Sequence, residues 1–184
     1  MQKLLALCGF ILLALPGMSG QKADTLAFPA SWAGTWQGTL NIYNGAGIKQ
    51  SVPMWVEIQP IDTSTTGRYT FGLVYGSKQK DWRPYELVPV QPGSGLWKVD
   101  EKNGIAMEAY LFGPKLLCWF TVQVNRVLCT YEKRGDEMIF EVCSGMEAPV
   151  STTGNTTHNG ETIPEVRTFP FSVFQRAVLK KQGP

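Results

Sequence analysis

The chain reads as an all-β protein: an antiparallel, up-and-down meander of about ten strands, poor in helix, closed into a barrel. A two-sheet β-sandwich is the competing arrangement. Three observations predict this. From Trp32 onward no window carries apolar residues at helical spacing, and short alternating apolar and polar runs recur instead. Turn formers separate those runs, with 19 Gly and 12 Pro in 184 residues. Finally, one apolar face repeated over ten strands would leave two exposed edges, which closure into a barrel removes.

The runs follow in order. Thr35 to Tyr43 places Trp36, Leu40 and Ile42 on one face. Val52 to Gln59 places Val52, Met54, Val56 and Ile58 together, with Trp55 and Glu57 opposite. Arg68 to Tyr75 aligns Tyr69, Phe71, Leu73 and Tyr75. In Tyr85 to Val90, Pro84 and Pro89 mark an edge or a bulge. Leu96 to Asp100, Ile105 to Phe112, Leu116 to Val124, Val127 to Lys133, Met138 to Cys143 and Phe171 to Lys180 complete the set. Turns are predicted at Asn103-Gly104, a pair that favours a type I′ hairpin, and at Gly113-Pro114, Asn125-Arg126 and Gly135-Asp136. Residues 144–165, rich in Ser, Thr, Gly and Asn, read as one long exposed polar loop.

Composition narrows the function classes. Hydrophobic residues make up 43% of the chain and charged residues 17%, which supports a packed core rather than disorder. A net charge of +2 leaves no electrostatic footprint for nucleic acid, and one His speaks against a multi-His metal site. No cofactor or metal is expected. Residues 1–20 carry a basic start at Lys3, an apolar run from Leu4 to Leu15, a Pro16-Gly17 break and small residues, the three parts of a secretory signal peptide. The apolar run is too short for a spanning helix, which needs about 20 residues. The expectation is therefore an exported, periplasmic or secreted protein that does not span the membrane. Residues 21–33 form a lead-in and 34–184 a single domain.

Trp32-Ala33-Gly34-Thr35-Trp36 opens the first strand. It resembles the Gly-x-Trp signature of the calycins, the superfamily of lipocalins and fatty-acid-binding proteins. The strict match covers Gly34, Thr35 and Trp36; the looser match is the ordered series of hairpins across the whole domain. The chain lacks the lipocalin Thr-Asp-Tyr motif and the family's helices, so it reads as a divergent, helix-poor member. The resemblance implies a small apolar ligand in the barrel, with Gly34 and Trp36 as structural residues. It also implies an Arg packed over the signature Trp, and Arg176 stands near the required place.

The lumen side of the runs supplies a candidate ligand site: Trp36, Leu40, Ile42, Val56, Phe71, Tyr85, Phe120, Tyr131 and Phe140. Tyr85 and Tyr131 would orient a head group, and Trp36 would also pack the floor. Gly38, Gly72, Ala106 and Ala109 are small enough to leave room. Trp82-Arg83-Pro84-Tyr85 would rim the mouth, and Trp97 alternates with Val99 as core. Trp55 and Trp119 fall on the outer face, either packed under the long loop or forming a contact patch.

His158 lies alone in the polar loop, and Glu57, Glu86, Glu108 and Glu141 alternate outward along strands. No residues form a catalytic constellation, so the expectation is a protein that is not an enzyme. The competing function is a non-enzymatic partner of a cell-envelope protein, with a filled barrel acting through its surface.

Cys118, Cys129 and Cys143 are expected to be unpaired. A turn at Asn125-Arg126 would set Cys118 opposite Lys133, about 13 Å along the strand from Cys129, beyond the reach of a disulfide. A turn at Gly135-Asp136 pairs Tyr131 with Phe140 and Cys129 with Val142, leaving Cys143 on the other face.

Overall fold

A computed structural model describes residues 28–62 and 66–183. The expected signal peptide, residues 1–20, lies outside the described residues. The chain begins with a 3-10 turn, Ala30–Trp32, and then runs as strands: β1 (Gly34–Asn44), β2 (Gly47–Ile58), β3 (Pro60–Asp62), β4 (Arg68–Tyr75), β5 (Trp82–Pro89), β6 (Leu96–Asp100), β7 (Ala106–Phe112), β8 (Lys115–Val122), β9 (Asn125–Arg134), β10 (Glu137–Met146), β11 (Ser151–Thr153), β12 (Thr156–His158), β13 (Glu161–Ile163), β14 (Val166–Thr168) and β15 (Val173–Lys181).

Ten of these strands form a closed antiparallel barrel. Sequence neighbours pair from β4 through β10, β15 returns between β10 and β1, and β2 closes on β4. The up-and-down meander predicted from the alternation is therefore the architecture, and the sandwich is not needed. Every barrel strand has a partner on both sides, so no long edge is left to pair with another chain.

The barrel has a solid end and an open end. Trp36, Val56, Ile58, Phe71, Leu87, Leu116, Met138 and Leu179 are completely buried at the solid end. The lead-in plugs it: Phe28 meets Trp32 and Trp97 edge-on at 4.8 and 5.1 Å, and Trp36 Nε1 donates to the Trp32 carbonyl at 2.8 Å. Trp97 thus belongs to the floor, as its alternation implied.

Four local expectations are corrected. The β8–β9 turn is Gln123-Val124, not Asn125-Arg126, because Val122 pairs with Asn125. That register matches apolar with apolar: Leu116 with Tyr131, and Phe120 with Val127. The slip is four residues, an even number, so every side chain keeps its face. Between β6 and β7, Asp100 pairs with Ala106 and leaves five residues in the loop; Lys102 and Gly104 take the left-handed backbone there rather than an Asn103-Gly104 pair.

The expected long polar loop is a hairpin arm. β11 pairs with β14 and β12 with β13 in one continuous register, and the tip is Asn159-Gly160, both left-handed. The signal for it was the Asn-Gly dipeptide itself, a type I′ turn pair. Finally, Arg176 does not pack over Trp36. It lies opposite Asn41 and points outward to Glu141, 2.6 Å away. Lys181 is the residue opposite Trp36, with its Nζ 5.4 Å from the ring centre.

Candidate functional site

The mouth half of the barrel encloses a cavity of about 420 Å³. Alternation aims one side chain in two into the lumen, and the twist of the strands sets its height. The apolar wall is Leu40 and Ile42 from β1, Val52 from β2, Leu73 from β4, Val99 and Met107 from β6 and β7, Phe120 and Val127 from β8 and β9, and Phe140 and Val142 from β10. Ile42, Phe120 and Val142 keep accessible surface although strands surround them, because they face an open lumen.

Six of the nine predicted site residues line this cavity: Leu40, Ile42, Tyr85, Phe120, Tyr131 and Phe140. Trp36, Val56 and Phe71 do not. They lie lower, in the filled floor, with no exposed surface. Period-two alternation reports which face a residue takes but not its height along the barrel axis. The small residues do not make the room either. A Cβ on Gly38 would come within 2.3 Å of the Val178 carbonyl oxygen, Ala109 is fully buried, Ala106 is exposed, and Gly72 faces Glu57 and Trp82 on the outside. Among the described residues, none fills the mouth end as Phe28 and Trp32 fill the floor, and the space lies there.

The polar groups converge at the mouth. Arg83 donates through Nε and one terminal nitrogen to both oxygens of Asp81, each at 3.0 Å. Its guanidinium lies 4.7 Å from the centre of the Tyr75 ring. Tyr85 and Glu101 line the same mouth, and the charges of Glu101 and Arg83 act on the Tyr85 phenol in opposite directions. The hydrogen bond from Arg83 holds the Asp81 carboxyl below its usual range and raises the guanidinium further still. Burial pushes the Tyr75 and Tyr85 phenols up, so both stay protonated donors at neutral pH.

Tyr131 lies deeper than the rim position expected of it. Its ring meets Phe71 at 4.8 Å and Phe140 at 5.0 Å, and it shares the lumen face of β9 with Cys129. Sequence reasoning missed Asp81, Glu101, Tyr75 and Gln175 as lining residues. Asp81-Trp82-Arg83 carried the available signal, since residues two apart in a strand share a face. Trp82 itself points outward, half exposed, with Lys78 Nζ 5.5 Å from its ring.

The remaining candidates are accounted for outside the lumen. Glu57 pairs with Lys78 at 2.8 Å, Glu86 with Arg68 and Lys102, and Glu108 with the Tyr110 hydroxyl at 2.6 Å. His158 sits exposed in the arm. Among the described residues no group of three or more His, Cys, Asp or Glu is arranged to hold a metal ion. No described helix is long and apolar enough to cross a membrane. Trp55 is half buried beside Val74, its partner on β4. Trp119 is 65% exposed and lines an outer groove with Phe169 and Phe171 from the stretch that follows the arm.

No protein-family model and no curated protein matches the sequence. Solved structures do match in fold. A protein of the DUF3598 family from Nostoc punctiforme superposes with a TM-score of 0.56 at 12% identity, covering 83% of this chain and 48% of the other. This chain therefore spans about half the length of that protein. The S-type phycobiliprotein lyase CPES from Guillardia theta superposes with a TM-score of 0.52 at 7% identity, covering 90% of this chain and 95% of the lyase. The likeness shows a shared antiparallel β-barrel fold. It also corrects the expectation of a protein that is not an enzyme. A barrel of this fold serves a protein named as a lyase, so the lack of a familiar catalytic constellation does not exclude enzymes.

Proposed function

We propose that this chain is an exported barrel that holds a small, mainly apolar ligand in its mouth-half cavity, with the ligand's polar end at Asp81, Arg83, Tyr85 and Glu101. The observation that carries this reading is the pairing of a half-empty apolar lumen with polar groups gathered at one end. A cavity of about 420 Å³ falls within the ~300–1,000 Å³ range of small-molecule sites. Burial of a ligand against the wall would contribute roughly 25 cal/mol per Å² of apolar surface. The protonated phenols and the braced guanidinium would supply orientation. The shared barrel fold adds support, and the pattern of residues 1–20 supports export.

The test is titration of the purified chain with the neutral apolar fluorophore N-phenyl-1-naphthylamine, beside native mass spectrometry of protein isolated without detergent. The expected result is one saturable site per chain, lost in Val142→Trp, which fills the lumen, while cooperative unfolding is retained. Absence of saturable binding to the wild-type chain would overturn the reading. Export is checked separately by the N-terminal residue of protein recovered from its own cells.

One observation favours a second reading, docking of a cell-envelope protein on the outer wall. Trp119, Leu128, Cys143, Phe174 and Tyr43 are successive cross-strand partners from β8 round to β1, a continuous apolar row on the outside. Phe171, 83% exposed, stands beside it over a groove of about 380 Å³. Surface patches of this kind mark contact sites.

A further inference from the structure

Cys118 and Cys129 are direct partners across the β8–β9 ladder, and both line the lumen. Both are free thiols. Residues opposite each other on one face of an antiparallel pair carry Cβ atoms about 4.5–5.5 Å apart. Counting from the closing pair Val122–Asn125, the cysteines are the fifth pair, of the same hydrogen-bonded kind, for which Cα atoms lie about 5.5 Å apart. A disulfide needs a Cα separation of about 4.4–6.8 Å. The third cysteine of the barrel cannot compete. Cys143 faces outward, with Leu128 and Phe174 as its ladder partners.

We propose that Cys118 and Cys129 form a lumenal dithiol that a small disulfide, entering through the mouth, converts to a protein disulfide. The steps balance. One protein thiol loses its proton, and its sulfur attacks the reagent's S–S bond. A mixed disulfide forms and one reagent thiolate leaves with that proton. The second protein thiol then loses its proton and attacks the first protein sulfur. The Cys118–Cys129 bond forms, the second reagent thiol leaves, and the two protein thiols have been oxidised by one reagent disulfide. The inference concerns the wall of the cavity and stands whether or not a ligand occupies it.

Burial shapes the kinetics. It pushes the Cys118 thiol up to about 12 and raises Cys129 as well. Only the thiolate attacks, so the rate should climb about tenfold per pH unit from near pH 7 to pH 9 without levelling off. An exposed thiol of ordinary acidity would begin to level off by the upper end of that range.

The experiment treats the reduced full-length chain with bis(2-hydroxyethyl) disulfide, a small neutral oxidant. Samples are quenched in acid, unfolded, alkylated, cleaved and mapped by mass spectrometry. The expected product links the peptides of Cys118 and Cys129, with Cys143 in no protein cross-link. Cys143→Ser should give the same link at the same rate. Cys118→Ser should stop at a mixed disulfide on Cys129. Three results would overturn the proposal: both cysteines alkylated after exhaustive oxidation, a mixed disulfide in the wild-type chain that never resolves, or a cross-link that uses Cys143. A rate that levels off by pH 9 would place the reacting thiol outside the lumen and overturn it too.

Discussion

Lys181 lies across the barrel seam from Trp36, its ammonium 5.4 Å from the centre of an indole that has no exposed surface. The same side chain packs on Gly34, where a Cβ would come within 2.8 Å of Lys181 Cε on a backbone already at φ +133°. Cation, indole and glycine thus form one unit that locks the last strand onto the first. Lys181→Ala should cost about 0.5–1 kcal/mol of unfolding free energy. Gly34→Ala should cost about 1–3 kcal/mol, since it adds backbone strain to the clash. Arg176→Ala, which removes an outward ion pair, should cost less than either. Urea unfolding of the three variants checks this. A larger loss for Arg176 than for Lys181 would return the covering role to Arg176.

That exchange of residues marks where the sequence stops being legible. Alternation predicted the strands and their faces, because burial on one side of a pleated strand leaves a period of two. It did not predict height along the barrel, so Trp36, Val56 and Phe71 could not be told from Phe120 and Phe140. Turn composition misplaced the β8–β9 turn because Asn125 is a better turn former than Gln123 in isolation. Cross-strand matching outweighed that preference. The mouth was half visible: Trp82-Arg83-Pro84-Tyr85 pointed to the rim, but the bond from Arg83 to Asp81 became plain only once the two shared a lumen face.

Floor and wall should separate by mutation. Phe71 is fully buried against Tyr131, so Phe71→Ala should cost about 3–5 kcal/mol of stability. Phe120 borders space that already exists, so Phe120→Ala should cost less than half of that while changing affinity for N-phenyl-1-naphthylamine. Unfolding curves and fluorophore titrations on the same two proteins are the check. Equal stability losses with unchanged probe binding would count against a functional lumen.

The barrel should lose stability in alkali. Burial raises Cys118, Cys129, Tyr75 and Tyr131 above their usual values of 9.0 and 10.0. A group raised in the folded state contributes fully below its unfolded pKa, and that contribution is lost as pH rises towards the folded one. Above about pH 9 the unfolded chain releases protons that the native chain keeps. Each such group then removes about 1.4 kcal/mol per pH unit. Urea midpoints should hold between about pH 6 and 8 and fall above 9, and Cys118→Ala should make the fall shallower. A flat midpoint up to pH 11 would contradict the burial of these groups.

Asp81 neutralises Arg83 at the mouth. Asp81→Asn should leave the fold intact, since the pair is close to half exposed, and release the guanidinium toward the lumen. Affinity for the anionic probe 8-anilinonaphthalene-1-sulfonate should then rise by about fivefold, or about 1 kcal/mol, relative to neutral N-phenyl-1-naphthylamine. The sign at low pH is the same. A depressed carboxyl keeps its pairing above its unfolded value of 3.8 and loses it as pH falls through the lower folded one. Wild-type selectivity should therefore be constant from about pH 5 to 8 and shift toward the anionic probe only in stronger acid. An unchanged probe ratio in Asp81→Asn would show that Arg83 does not reach the ligand.

The hairpin arm should be dispensable for the barrel. Its strand residues from Ser151 to Thr168 are exposed apart from the half-buried Ile163, and its ladders run only between its own strands. The return path is tighter. Gly145 lies against the backbone of Pro170, where an added Cβ would come within 1.7 Å of the carbonyl oxygen, and Ser172 donates its N–H to Ser144 at 2.8 Å. The junction that holds β10 to β15 is therefore made below the arm, at 144–145 and 170–172. Excising residues 151–168 and bridging the gap with two glycines should change stability by no more than about 0.5 kcal/mol and leave lumenal probe binding intact. Gly145→Ala, a single methyl at the junction, should cost more than the whole excision. If the excised chain fails to fold, the arm contributes to the barrel through contacts beyond its own ladders.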